Sequence, residues 1–194
     1  MVSKVKLENL YIQDKLSMME ISKKLNCSLN KVNYWMDKYH IKRRSISQAL
    51  YIQRYPDGDP FRLSSVKSRD TAFIKGLGIG LYWGEGNKLN KYSIRIGNSD
   101  PNLLRMFIKF LKVIYGVEIS LLKFGLQLFT DIDKEQALDY WVKELGVSRS
   151  QFYNVTTTIS GSLGTYRNKS KYGVLTIHYH NKKLRDILVS ELPK

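Results

Sequence analysis

The sequence predicts an α+β protein in two parts, a small all-helical N-terminal domain and a larger domain mixing helices and strands. Three observations lead there. Apolar residues recur at helical spacing through the first fifty or so positions, and runs with strand-like alternation occur only in the second half. Between the two, Pro56, Asp57, Gly58, Asp59 and Pro60 crowd a stretch through which no helix continues. The expected division is therefore a helical domain over residues 1–55, a linker over 56–70 and a second domain over 71–194.

The N-terminal part reads as three helices. Val5, Leu7, Leu10, Tyr11 and Ile12 predict a first helix ending near Leu16, and Ser17 with Glu20 three residues on forms a capping box that opens a second. Asn26, a residue that tolerates the left-handed conformation, ends it in a tight turn. Ser28 can then cap a third helix from Leu29 to about Tyr39, with Val32, Trp35 and Met36 turned inward. This is a helix-turn-helix pattern. It leaves Asn30, Lys31, Asn33, Tyr34 and Lys38 on the outer face of the third helix, where they can enter a major groove, and Lys42, Arg43 and Arg44 follow as candidates for adjacent phosphates.

The charge balance agrees with a nucleic-acid partner. The 194 residues carry 32 Lys and Arg against 17 Asp and Glu, a net charge of +15, and the excess is shared: 14 basic against 7 acidic in residues 1–70, 18 against 10 in residues 71–194. With 43% hydrophobic residues the chain can bury a core, so disorder is excluded and a polyanion, double-stranded DNA first, is the expected partner. No apolar run approaches the ~20 residues of a spanning helix, and the opening MVSKVKLENL has no leader-like apolar core, so a cytoplasmic protein with no membrane partner and no small-molecule substrate is expected. Cys27 is the one cysteine, which excludes an intramolecular disulfide. With only His40, His178 and His180 beside it a zinc cluster is excluded too, so any metal must be held by oxygen.

The second part opens with TAFIKGLGIGLYWGEGNK, an apolar helix beginning at Asp70 or Thr71 and ending at Glu85-Gly86. Gly76, Gly80 and Gly84 lie four apart on one face and cost ~0.5–1 kcal/mol each relative to alanine. A helix crossing too closely to admit a Cβ would offset that cost. Since the chain has one such helix, the expected partner is a second copy, packed as a two-fold homodimer. Two copies of Glu85 would then approach one another, a meeting of like charges that divalent cations and a phosphodiester between them would relieve.

GIGLYWGEG, Gly78 to Gly86, resembles a divergent LAGLIDADG motif: Gly80, Leu81 and Gly86 match, Glu85 takes the penultimate acidic place, and Trp83 stands where the family often has its first aspartate. Asn98-Ser99-Asp100-Pro101 and the amphipathic NLLRMFIKFLKVIYG resemble the strand-to-second-helix step of LAGLIDADG homing endonucleases, so the likeness runs in element order over roughly residues 71–190. It implies an αββαββα-type domain with an antiparallel, saddle-shaped, DNA-binding sheet, and a Mg²⁺ or Mn²⁺ ion held by Glu85 and the carbonyl of Gly84. Only a short stretch separates Gly86 from Asn98, so the first hairpin must be stunted. A related branch of transcription regulators keeps DNA binding without cleavage.

Further along, ISLLKF and LQLFTDI read as a hairpin turning near Gly125, DKEQALDYWVKELG as a helix with Trp141 and Leu145 inward, VTTTIS and GVLTIHYH as strands, and NKKLRDILVSEL as a closing helix. Lys91, Arg95 and Lys123 join the expected DNA contacts, as do Arg167, Lys169 and Lys171 in the polar loop before the last strand. Lys88, three residues past Glu85, is the first candidate for the cation that steadies the reacting phosphate, and Lys171 the second. Asn98 and Asp100 are read as caps of the following helix, with Asp100 as a further metal ligand the lesser reading. His178 and His180 alternate on one strand face and are read as ordinary sheet residues. The expected activity is metal-dependent, site-specific double-strand cleavage by a homodimer, with a cleavage-inactive DNA-binding regulator and an RNA-binding maturase as alternatives.

Overall fold

The computed structural model describes residues 2–160 and 170–193, and the chain falls into two compact units, Met1–Asp59 and Pro60–Lys194. In the first unit α1 (Lys4–Glu8) runs into a π-helical turn (Asn9–Gln13), followed by α2 (Met18–Lys24), α3 (Leu29–Lys38) and α4 (Ile46–Arg54). The Ser17–Glu20 capping box closes in both directions over α2, at 3.2 and 2.7 Å. Asn26 holds a φ of 45°, the left-handed turn between α2 and α3, and the Ser28 side chain caps α3. Leu7, Leu10, Tyr11, Ile21, Val32, Met36 and Ile41 form this unit's core, with Trp35 partly buried against it.

Two features here differ from the sequence reading. The first helix is not uniform: it widens into the π-helical turn over residues 9–13. A fourth helix, α4, follows the basic tail, opened by a reciprocal Ser45–Gln48 capping box. Its apolar residues Ile46 and Leu50 are 82% and 58% exposed, so no burial pattern announced it.

The second unit is α+β. Its order is α5 (Arg69–Glu85), β1 (Ile94–Asn98), α6 (Pro101–Tyr115), β2 (Lys123–Phe129), α7 (Lys134–Leu145), β3 (Thr156–Thr158), β4 (Val174–Tyr179) and α8 (Lys182–Ser190). The strands form one sheet in the order β1-β4-β2-β3. Ile94 and Ile96, Phe124, Leu126 and Leu128, and Leu175, Ile177 and Tyr179 turn one face onto the apolar sides of the helices, around Phe107, Phe110, Trp141, Leu184 and Leu188. Asp100 caps α6, with Pro101 in its first turn, and Gly116 ends it at a φ of 57°. Phe61 belongs to this core, and Arg62 and Ser64 donate backbone bonds to the carbonyls of Tyr115 and Ile114.

The sheet corrects three expectations. It is mixed rather than antiparallel: β4 pairs antiparallel with β1 and β2, but β2 and β3 run parallel. A parallel pair needs a crossover, and α7 supplies it. Residues 119–129 make no hairpin at Gly125. Ile119–Leu121 is a 3₁₀ turn and β2 runs straight through Gly125, because Phe124 and Leu126 on either side both bury into the core. The element order is thus αβαβαββα instead of αββαββα, with β1 the one strand between α5 and α6.

Candidate nucleic-acid interface

Period-two alternation decides what the other face of the sheet carries. With Ile96, Phe124 and Ile177 buried, their neighbours point away from the core. The cross-strand register sets them in rows: Arg95, His178 and Lys123, then Gly97, Thr176 and Gly125, then Val174 and Gln127, which is opposite Thr156. The first row is basic and the middle row is nearly bare of side chains. Glycine inside a strand weakens it and marks a place where another backbone or a ligand comes close. The face therefore sets a basic row beside a row of small residues, with Thr176 Oγ1 close over Gly97 and the His178 ring close over Gly125.

Tyr153 and two histidines cluster beside Gly125. The Tyr153 hydroxyl and His180 Nε2 share a 2.6 Å hydrogen bond, Tyr153 stands edge-on to His178 at 5.4 Å between ring centroids, and the two imidazoles stack at 5.9 Å. An added Cβ on Gly125 would lie 3.1 Å from His178 Nε2, so the glycine makes room for the ring. His178 Nδ1 is buried without a hydrogen-bond partner. Burial, helped by the Arg95 and His180 charges, pushes the His178 imidazole down to about 4, so it is neutral at physiological pH. In the sequence alone His178 and His180 read as ordinary sheet residues, and Tyr153 is assigned no role. Reading KFGLQLF and GVLTIHYH with a period of two does place Lys123, Gly125 and Gln127, and Thr176 and His178, on common faces.

At the end of α5, Glu85 is exposed. Gly86 donates to the Tyr82 carbonyl at 2.9 Å and bridges to Ile96, tying the helix end to β1, which is an edge strand. A Cβ on Gly86 would sit 2.4 Å from that same carbonyl, so only glycine fits. Lys88 Nζ donates to the Trp83 carbonyl at 2.7 Å, compensating the negative helix end a few residues from Glu85. The next carbonyl, that of Gly84, takes no hydrogen bond from the described residues. The Glu85 carboxylate and this carbonyl are hard oxygen donors suited to Mg²⁺, but they are two donors for an ion that takes six. One chain offers at most part of a site, and the described residues contain no group of three His, Cys, Asp or Glu side chains that could hold a metal.

Lys171 is exposed, with its amine over the Tyr172 ring at 5.2 Å, and Tyr172 stacks on Tyr140 of α7 at 3.7 Å. Its described contacts are with that layer. Arg167 and Lys169 lie outside the described residues. Lys91 is exposed, Arg95 donates to Ser93 Oγ at 2.9 Å, and Lys123 reaches the Ser150 carbonyl at 3.4 Å.

On α5 the glycines part company. Gly76, Gly80 and Gly84 look into open space, where an added Cβ would meet nothing within 4 Å. They share that side with Phe73 and Trp83, 64% and 55% exposed. Close packing inside the chain falls instead on Gly78, outside the regular four-residue spacing, which α6 crosses at Phe110.

In the first unit, Asn30, Lys31, Tyr34 and Lys38 are exposed along α3 and Asn33 is half-buried. Lys38 lies over the rings of Trp35 and Tyr34 at 4.9 and 5.8 Å. Lys42 is exposed, whereas Arg43 makes two 2.7 Å bonds to Asp37. Arg44 turns inward: it caps the carbonyls of Lys15, Tyr11 and Leu16 and stacks on the Tyr11 ring at 4.1 Å.

No family model, curated protein or solved structure matches this chain. Among the described residues no helix is long and apolar enough to cross a membrane.

Proposed function

We propose that this chain is a double-stranded DNA-binding protein of the LAGLIDADG type, acting as a homodimer and cutting both strands at a specific site. The observation that carries the reading is the sheet. One face packs on helices, and the other presents the Arg95, His178 and Lys123 row beside the small-residue row of Gly97, Thr176 and Gly125. A duplex backbone laid along this face meets positive charge at Arg95 and Lys123 and, in the next row, only the small Thr176 side chain between two glycines. The outer face of α3 adds a second basic surface with a helix-sized reading edge.

Dimerisation rests on α5. Its open glycine face, set beside exposed Phe73 and Trp83, is self-complementary in the sense a two-fold crossing requires, and it would bring two copies of the Glu85 end together. In such a dimer Glu85 and the Gly84 carbonyl would hold a divalent ion together with phosphate and water oxygens. That ion would polarise the phosphate and activate the attacking water. Lys88 stands near enough in sequence to add positive charge, once it leaves the Trp83 carbonyl.

A cleavage-inactive regulator is the second reading, favoured by one observation: where the motif has its other acid, this chain has an exposed Trp83, so Glu85 is the one carboxylate at the helix end. One experiment separates the two. A randomised-site plasmid library is incubated with wild type and Glu85→Gln, with and without Mg²⁺. Metal-dependent double-strand breaks lost in the variant establish the nuclease. Selection of one sequence by both proteins without cutting establishes the regulator. No selection at all overturns the DNA reading.

A further inference from the structure

Between α5 and β1, the loop over residues 87–92 is held unusually firmly for so short a segment. Asn87 donates its backbone N–H to the Arg95 carbonyl at 2.8 Å, and its side chain accepts from Asn90 N at 3.0 Å. The Asn90 side chain accepts three bonds, from Tyr92 N, Ser93 N and Ser93 Oγ, at 2.9, 2.9 and 3.0 Å. Arg185 of α8 donates to the Lys88 carbonyl at 2.7 Å, and the Tyr82 hydroxyl to that of Asn87 at 3.2 Å. All of these bonds but the one from Ser93 Oγ engage the main chain. None of them touches the two large side chains at the tip, Leu89 and Tyr92, which are 91% and 73% exposed.

A single exposed leucine is ordinary. Two large apolar groups within four positions, on a loop stiffened from both flanks and aimed at solvent, call for a partner. Lys88 and Lys91 stand on either side of Leu89, and both are exposed. Protein–protein contact surfaces are depleted in lysine, whereas a phosphate backbone attracts it. The loop also borders β1, the edge strand that carries Arg95 of the basic row. Leu is among the apolar residues that wedge between base steps from the minor groove and kink the duplex. A wedge works only if it is stiff enough to unstack bases rather than fold away.

Resting on the DNA-binding reading above, we infer that the loop over residues 87–92 is a preformed wedge: Leu89 inserts between base pairs of double-stranded DNA, Tyr92 lies against the opened step, and Lys91 holds the flanking phosphate, so that the duplex bends over the sheet edge.

The test uses the full chain and an end-labelled duplex of about 30 bp with a central TA step, a length over which unbound DNA is nearly straight and at a step that kinks easily. Energy transfer between the end labels reports bending, and anisotropy reports affinity for this duplex and for one with a two-base central mismatch. Wild type is expected to shorten the end-to-end distance and to favour the mismatched duplex about tenfold, since its unstacking is already done. Leu89→Ala should bind the intact duplex without bending it and lose the preference, while Leu89→Met keeps both. Because Leu89 touches no core, thermal melting should be the same for all three. If wild type binds without bending, or Leu89→Ala bends DNA as wild type does, the wedge is wrong and the DNA reading stands. Failure of wild type to bind either duplex at low salt overturns both.

Discussion

Gly78 of α5 and Phe110 of α6 meet so closely that a Cβ on the glycine would lie 2.1 Å from the phenylalanine ring. Two residues further along the helix, Gly80 has nothing within 4 Å. One helix therefore carries two kinds of glycine. Gly78→Ala should cost about 1–3 kcal/mol through overpacking. Gly80→Ala should stabilise the isolated chain by about 0.5–1 kcal/mol, the usual gain from replacing a helical glycine. Urea unfolding of the two variants, compared at the same protein concentration, checks the contrast.

The Gly80 position also tests the dimer. Gly80→Leu has room in the single chain, so it should fold and sediment as a monomer, with DNA affinity reduced at concentrations where wild type is dimeric. A leucine variant that stays dimeric and binds DNA as before rules out the crossing through the glycine face.

Neighbouring cations should separate by role. Arg44 donates to three main-chain carbonyls of its own unit, so Arg44→Ala should lower the stability of the first unit by about 2 kcal/mol. Lys42 is exposed, and Lys42→Ala should leave stability alone while lowering the slope of log affinity against log salt by about 1 if it meets a phosphate. Melting curves beside salt titrations with one duplex distinguish them.

His178 predicts a pH dependence with a definite sign. Its folded value, about 4, lies below the ordinary 6.5 because of burial first and the Arg95 and His180 charges next, with Lys123 across the strand and Tyr153 against the ring. Between those values the unfolded chain binds the proton that the folded chain refuses, so stability rises with pH in that window. The contribution is complete above about 6.5, fades as pH falls and is gone by about 4. Relative to His178→Leu, wild type should lose stability from pH 7 to pH 4.5, measured as the shift in urea midpoint. Equal slopes for the two proteins would show that His178 titrates normally.

Much of this molecule was settled by residues within four positions of one another. The capping box of Ser17 and Glu20, the left-handed turn at Asn26, the Ser28 cap, and the Asp100 cap with Pro101 were all legible because each is a hydrogen bond or a dihedral preference between near neighbours. The net charge needs no structure at all. Glu85 at the end of a glycine-rich helix could likewise be placed from the sequence, since helix ends are local events.

What only the tertiary structure decided lies between residues far apart in the chain. Whether Gly125 turns a hairpin or continues a strand depends on the burial of Phe124 and Leu126 and on β4, some fifty residues later, and not on the glycine itself. The parallel pairing of β2 with β3 follows from where α7 packs. Phe110 chose Gly78 over the three regularly spaced glycines, and Tyr11 with its neighbouring carbonyls drew Arg44 away from solvent. Local preferences specify an element's kind and its ends. The identity of its neighbours is set by burial and close packing, which couple side chains that sequence spacing does not relate.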